Sequence, residues 1–310
     1  MIDKKYAVID LGSNTFHLLI ANVTKDNNGI FSFQTVYRKQ VFVGLSDGGD
    51  THIKEVRMEL GLDTLRQFKE KLDLHQPSKI KIVGTAVLRK ATNRQLFIDS
   101  AELILAQKIA IIDGDQEAKY IYDGVRQIEV LNHGHQLVMD VGGGSTEFIV
   151  MQDGKNIWQK SYRLGGGVLH HLFHKNEPIT LDEINTISNH IADEVSDLRT
   201  FMYNRDTIDY LAGASGSFEI LAILAGIQVQ ENQCYEISLM TFVSLYNKVI
   251  KLNLQERDQL DRIPKERAKL IIVGLILKKT ILELFQPQNI LVSPYSMKEG
   301  VLYEMAQYEN

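Results

Sequence analysis

A chain of 310 residues is longer than one hydrophobic core usually serves, so two domains are expected. Hydrophobic residues at 44%, charged residues at 24% and only five prolines describe an ordinary globular protein and argue against extended disorder. The formal net charge of -5 argues against wrapping a nucleic-acid backbone, although local basic clusters can still take up a small or linear polyanion. The amino terminus, MIDKKYAVIDLG, has charges where a signal peptide needs its apolar region. The strongest apolar run, 271–277, is stopped by Lys278 and Lys279; it is too short to cross a bilayer and reads as a buried helix. The lone Cys234 cannot close an internal disulfide and is expected to be a small, buried or half-buried side chain. A cytoplasmic protein with no nucleic-acid or membrane partner is the expectation.

In chain order, 5–11 and 15–23 are apolar, β-branched runs around Gly12-Ser13-Asn14, the pattern of a tight hairpin, and a third strand is expected at 30–43. A helix at 53–74, a strand at 79–85, a helix at 93–108, a strand at 109–113 and a helix from near Asp115 follow. The opening then recurs. Runs at 136–141 and 146–151 flank Gly142-Gly143-Gly144, with a third strand near 156–163. Gly165-Gly166-Gly167 reads as a bend. Thr180-Leu-Asp-Glu183 is a capping box opening a helix to about 203, with further helices near 217–225, 239–252 and 265–285, a strand at 289–293 and a last helix from 297. Aligning Asp10-Leu-Gly-Ser-Asn with Asp140-Val-Gly-Gly-Gly reveals a duplicated domain, and two such domains face to face would aim two glycine hairpins into one cleft. The bland alternative is two unrelated glycine turns.

Successive N–H groups in such turns form concavities that suit phosphate oxygens, and Ser13, Asn14, Thr15, Ser145 and Thr146 add neutral donors. Asp10 and Asp140 precede the turns and Glu147 follows the second. Carboxylates beside phosphate repel it unless a cation bridges them or the acid handles a proton. Magnesium (Mg2+) fits, since it takes one or two carboxylates plus phosphate oxygens and waters. The competing reading is that Asp10 and Asp140 bond the backbone of their own turns. Glu117, in the first turn of a helix, either complements the helix dipole or serves as a base; Arg89, after a strand, either clamps phosphate or faces solvent. Gly213-Ala-Ser215-Gly216 precedes a helix and is a third candidate anion contact. Of the basic clusters, Arg89 with Lys90 and Arg94, and Lys265 with Arg267 and Lys269, most side chains read as solvated helix surface. His170 and His174 share a helix face but lack the H-E-x-x-H arrangement, which favours a packed or surface role over zinc.

Several of these runs resemble motifs of the exopolyphosphatase/guanosine-pentaphosphate phosphatase family. They are Val8-Ile-Asp-Leu-Gly-Ser-Asn-Thr-Phe-His17, Val83-Gly-Thr-Ala-Val-Leu-Arg89, Met139-Asp-Val-Gly-Gly-Gly-Ser-Thr-Glu147, Gly213-Ala-Ser-Gly216 and Glu299-Gly-Val-Leu302, in order along nearly the whole chain. The resemblance implies an α/β fold of two actin-like (RNase H-like) domains with mixed sheets around a central cleft. One domain spans 1–124 with about 296–310, and the other 125–295. It implies Glu117 as the water-activating base, Asp140 and Glu147 with Asp10 at magnesium, and Arg89 with Gly12, Gly142, Gly143, Gly144, Gly213, Ser215 and Gly216 on the phosphates. The implied substrate is inorganic polyphosphate or guanosine pentaphosphate, and the oligomeric state is open, a homodimer being one form the resemblance allows. The chain departs from the family at Gln116, where a glutamate usually stands, and at Lys298, where an arginine usually precedes Glu-Gly. The changed Asp113-Gly-Asp-Gln116 segment keeps a non-catalytic polyphosphate or nucleotide sensor open as an alternative.

Overall fold

The computed structural model describes residues 4–25, 31–47, 49–203, 205, 207–214, 216–230 and 233–307. The chain divides into two compact units, Met1–Gly124 with Met297–Asn310, and Val125–Ser296. Each is built on one mixed sheet covered by helices, which is the expected α/β, two-domain class.

The first unit opens with β1 (Lys4–Leu11), β2 (Thr15–Lys25) and β3 (Phe31–Phe42), an antiparallel meander. There follow α1 (Glu55–His75), β4 (Lys79–Gly84), α2 (Ala86–Lys90), α3 (Arg94–Leu105), β5 (Ile109–Ile111) and α4 (Gly114–Val125). The strand order is β3-β2-β1-β4-β5, with β4 and β5 parallel to β1. Strand β1 lies inside the sheet, which is why Tyr6 to Ile9 form an unbroken buried run rather than an alternation. Helix α1 covers the sheet through Leu65, Phe68 and Leu72, spaced three and four apart along one face.

In the second unit a 3-10 turn (Glu129–Asn132) leads to β6 (His135–Val141), β7 (Thr146–Gln152) and β8 (Lys155–Tyr162), again antiparallel. Then come α5 (Gly166–Phe173), α6 (Leu181–Glu194), α7 (Ser196–Met202), β9 (Tyr210–Gly213), α8 (Gly216–Leu224), β10 (Tyr235–Ile237), α9 (Leu239–Val249), α10 (Leu254–Arg257), α11 (Lys265–Phe285) and β11 (Asn289–Val292). Read from its other edge, this sheet runs β8-β7-β6-β9-β11, the order of the first, with β10 added antiparallel at the end. The repeat extends to register: Asp10 pairs with His17 across β1 and β2, and Asp140 pairs with Glu147 across β6 and β7. Helix α12 (Met297–Gln307) returns to the first unit and packs on β1. It also lies against α4 at Gly300, where a Cβ would fall 1.8 Å from the Tyr120 carbonyl oxygen. Only glycine permits that approach.

Several expectations change. The helix expected to run to 203 breaks at the fully buried Val195, whose φ of -92° and ψ of 20° leave the helical well, so two helices form. Gly165-Gly166-Gly167 is not a free bend but the start of α5. Cys234 is exposed rather than buried, since it lies just before the short β10 and outside the core. Ile271 to Leu277 are buried in α11 as expected.

Candidate active site

The loop after β1 is wired into the first unit by its own polar groups. The Asn14 carbonyl accepts from the N–H groups of Val43 and Gly44, each at 2.8 Å, and Ser46 N–H donates to the Ser13 carbonyl at 2.9 Å. Ser46 Oγ donates to Asn14 Oδ1 at 2.5 Å, and the Val87 N–H donates to Ser13 Oγ at 3.2 Å. Ser13 is thereby buried against α2, with its own hydroxyl proton still to place. The Asn14 amide nitrogen makes no hydrogen bond among the described residues and, with Thr15 at the start of β2, is the donor this loop has to offer.

Arg89 and Glu117 come together. Arg89 ends the short α2 and Glu117 opens α4, so the ends of two neighbouring parallel strands bring them to one place. Arg89 Nη1 donates to Glu117 Oε2 at 2.8 Å and to the Ile112 carbonyl at 2.7 Å. Its Nε and Nη2 make no hydrogen bond among the described residues, which leaves part of the guanidinium fork for an anion. Burial raises the Glu117 carboxyl above the ordinary carboxylate range, and the Arg89 guanidinium opposes that rise without cancelling it. The result is a better proton acceptor than a solvated glutamate. The Gln116 N–H donates to Asp113 Oδ1 at 2.8 Å, while Gln116 Nε2 is covered and makes no hydrogen bond among the described residues.

Asp10 stands at the end of β1. Its Oδ1 is covered and accepts no hydrogen bond among the described residues, so that oxygen does not bond the turn's own backbone. Burial, then the Glu117 carboxylate, raise Asp10 to about 7; Lys298 opposes and Glu299 adds to the rise. The first turn of α12 thus belongs to the surroundings of Asp10. Two cations attend Glu299: Arg38 Nη2 at 2.6 Å and Lys298 Nζ at 3.4 Å. Arg38, in the middle of β3, carries no motif; its role is visible only once α12 is seen to return to this unit.

In the second unit the glycine loop is braced from an unexpected side. The N–H groups of Gly166 and Gly167 donate to the carbonyls of Gly142 and Gly143, each at 2.9 Å. A Cβ on Gly165 would fall 2.4 Å from Gly143 atoms. The Gly165–Gly167 run lacks polar side chains because it acts through its backbone, and that is why its part in the loop could not be read from residue chemistry. Thr146 is a correction to the expected phosphate donors: it is fully buried and its Oγ1 donates to the Leu164 carbonyl at 2.9 Å, so the hydroxyl braces the loop. Ser145 is buried beside it. Gly213 ends β9 and Gly216 opens α8, where Arg267 of α11 lies so close that a Gly216 Cβ would meet its Nη1 at 2.4 Å. Of the second basic cluster, Arg267 is therefore no plain surface residue. Ser215 lies outside the described residues.

The site can be tested for magnesium on its donors. Asp140 and Glu147 are direct cross-strand partners, so their side chains leave the same face of the sheet. Glu147 is 1% exposed and accepts from Ser161 Oγ at 2.7 Å. Like charges at one rung are unfavourable, and a cation there offsets them. In the first unit, taken by itself, the covered Oδ1 of Asp10 is also an oxygen suited to a cation. No group of three or more His, Cys, Asp or Glu is placed to hold a metal among the described residues. Magnesium does not need one, because it keeps waters and takes phosphate oxygens. The residues fit the ion. His170 and His174 stand edge to face with ring centroids 5.1 Å apart, and His174 is buried beside Glu177, a packed pair. No helix among the described residues is long and apolar enough to cross a membrane.

Two matching mixed sheets, each with a glycine hairpin at the ends of its central strands, define a duplicated α/β protein with acid-flanked glycine loops. The chain belongs to the Ppx/GppA phosphatase family, whose model matches residues 20–309. It is 28% identical over 314 residues to the guanosine-5'-triphosphate,3'-diphosphate pyrophosphatase of Aeromonas salmonicida, covering 96% of this chain and 58% of that protein. To the protein of the same name from Vibrio parahaemolyticus it is 30% identical, covering 97% and 59%. The chain thus spans about three-fifths of the length of these curated relatives. The crystal structure of an exopolyphosphatase from Cytophaga hutchinsonii matches with a TM-score of 0.91 and 32% identity, covering 99% of both chains. The Aquifex aeolicus family member, at 23% identity and a TM-score of 0.81, shares the fold.

Proposed function

We propose that this protein is an exopolyphosphatase, releasing terminal orthophosphate from inorganic polyphosphate. The observation that carries the reading is the pairing of buried Glu117 with half-buried Arg89: a carboxyl of raised proton affinity held beside a guanidinium with donors to spare. In the proposed reaction the first unit offers phosphate oxygens the backbone N–H groups at Gly12, and the second, by itself, those at Gly142, Gly143 and Gly144 with Gly213 and Gly216. Arg89 orients the terminal phosphoryl through Nε and Nη2. Glu117 takes a proton from water as its oxygen attacks the terminal phosphorus, the bond to the bridging oxygen breaks, and the shortened chain leaves with that electron pair. The carboxylates available to magnesium are Asp140 and Glu147 at one rung and Asp10 in the first unit; when bound, the ion offsets charge on the phosphoryl oxygens.

Polyphosphate is preferred to guanosine pentaphosphate because an exopolyphosphatase of known structure is 32% identical with a TM-score of 0.91, whereas the relatives named for the guanosine substrate are 28% and 30% identical. Phosphate release from long-chain polyphosphate and from guanosine pentaphosphate, side by side with and without magnesium, tests the proposal. Magnesium-dependent release chiefly from polyphosphate is expected. Preference for the nucleotide reassigns the substrate, and tight binding without release from either returns the sensor reading.

A further inference from the structure

Lys278 lies in α11 directly after the buried run Ile271 to Leu277 and is itself 2% exposed. Burial there drives its ammonium down to about 7, and no carboxylate among the described residues offsets the loss of hydration. Its partners are Ser217 Oγ at 2.5 Å, the Gly274 carbonyl at 3.4 Å and the Phe218 ring, whose centroid lies 4.5 Å from Nζ. Ser217 and Phe218 are both in the first turn of α8. The Phe218 ring in turn fills the space of the missing Gly213 side chain, 1.9 Å from where a Cβ would stand. A single buried lysine thus holds the start of α8 by a hydroxyl and an aromatic face, and through Phe218 the end of β9. Arg267, about three turns earlier on the same helix, touches Gly216 from the same side. An apolar side chain of equal length would cost less to bury but would lose the hydrogen bond to Ser217 at the start of α8.

We propose that Lys278 is a positioning residue for anion binding, fixing the start of α8 beside Gly213 and Gly216 so that its N–H groups meet a substrate phosphate. This rests on the reading of that turn as a phosphate contact. Lys278 itself touches no substrate. It acts through Ser217 and Phe218, so its loss weakens binding rather than the chemical step.

The test compares the full chain with K278M, S217A and K278M/S217A, by calorimetric titration with tripolyphosphate and by phosphate-release kinetics. K278M should weaken tripolyphosphate binding about fivefold to tenfold. It should raise KM for polyphosphate by a similar factor and leave kcat within about twofold, the signature of lost uniform binding. S217A should shift binding and KM in the same direction by no more than K278M, and the double variant should match K278M, since the Ser217 contact is already lost with the lysine. A K278M protein that binds tripolyphosphate as tightly as wild type overturns the inference. So do additive losses in the double variant, or a fall in kcat at unchanged KM. A wild type that binds tripolyphosphate but releases no phosphate removes the hydrolase reading alone, and the affinities still decide the case of Lys278. A wild type that binds none removes the turn's role and this inference with it.

Discussion

Glu117 is separated from Arg89 by 28 positions, and its chemistry is set by that contact and by burial. Replacing it with Gln keeps the shape and an acceptor for Arg89 but removes the proton acceptor. E117Q should therefore lower kcat by about 10²–10⁴-fold while leaving polyphosphate affinity near wild type; a variant with near-normal turnover would remove Glu117 from the base role. Because the carboxyl must be ionised to act and its proton affinity is raised, activity should fall with acidification through a midpoint above the ordinary carboxylate range. A pH profile of kcat/KM reads this directly, and an acid limb at the ordinary glutamate value would contradict it. Lys278 gives a prediction of the opposite kind. Its folded-state value of about 7 lies below the ordinary 10.5, so between those two values the unfolded chain binds the proton that the folded chain does not. Wild-type stability from this group is lowest below pH 7 and recovers as pH rises toward 10.5. K278M should then be more stable than wild type at pH 6, by roughly 3–5 kcal/mol less the lost hydrogen bond. Urea melts across pH should show the gap closing toward pH 10; a gap independent of pH would mean the ammonium is not the cause.

At the scale of elements, α12 is docked by the absence of a side chain. A methyl at Gly300 would lie 1.8 Å from the Tyr120 oxygen and 2.9 Å from the Gly124 nitrogen, both backbone atoms that cannot swing aside. G300A should cost about 1–3 kcal/mol as α12 shifts, measured as a lowered thermal midpoint. The same shift should disturb Asp10 through Lys298 and Glu299. The two glycine hairpins and their six strands are legible from sequence because alternating apolar runs around D-x-G are a local signal. Helix α2 and strand β10 are not: five residues barely exceed one helical turn, and Tyr235-Glu-Ile237 lacks the continuous apolar run that marks the equally short β5. Side-chain pairings fail for a different reason. Ser46 on Asn14, Val87 on Ser13 and Arg38 on Glu299 join positions that only the sheet order brings together. Thr146 carries the chemistry of a phosphate donor, but burial assigns its hydroxyl to Leu164. Residue type reveals what a group can do, and packing decides whether it is free to do it.

Over the whole molecule, the sequence repeat becomes two sheets of matching order and register, yet the copies are not equivalent. The rung that holds Asp140 and Glu147 in one holds Asp10 and His17 in the other. The first unit also has a break in its chain that the second lacks, because α12 is supplied from beyond Ser296. Seven residues from Met297 to Ala306 are buried in that helix. Deleting 297–310 should accordingly speed amide exchange in β1 and α4 while β6, β7 and β9 keep their protection. Uniform acceleration would mean the chain unfolds as one block. The arrangement also sets an order of events at the ribosome. At translation rates of about 5–20 residues per second, α4 emerges on the order of ten seconds or more before α12, with the whole of Val125–Ser296 made in between. A nascent or prematurely terminated chain can carry Asp10, Arg89 and Glu117 yet lack the helix that surrounds the first of them, so the first half of the duplication is the last to mature.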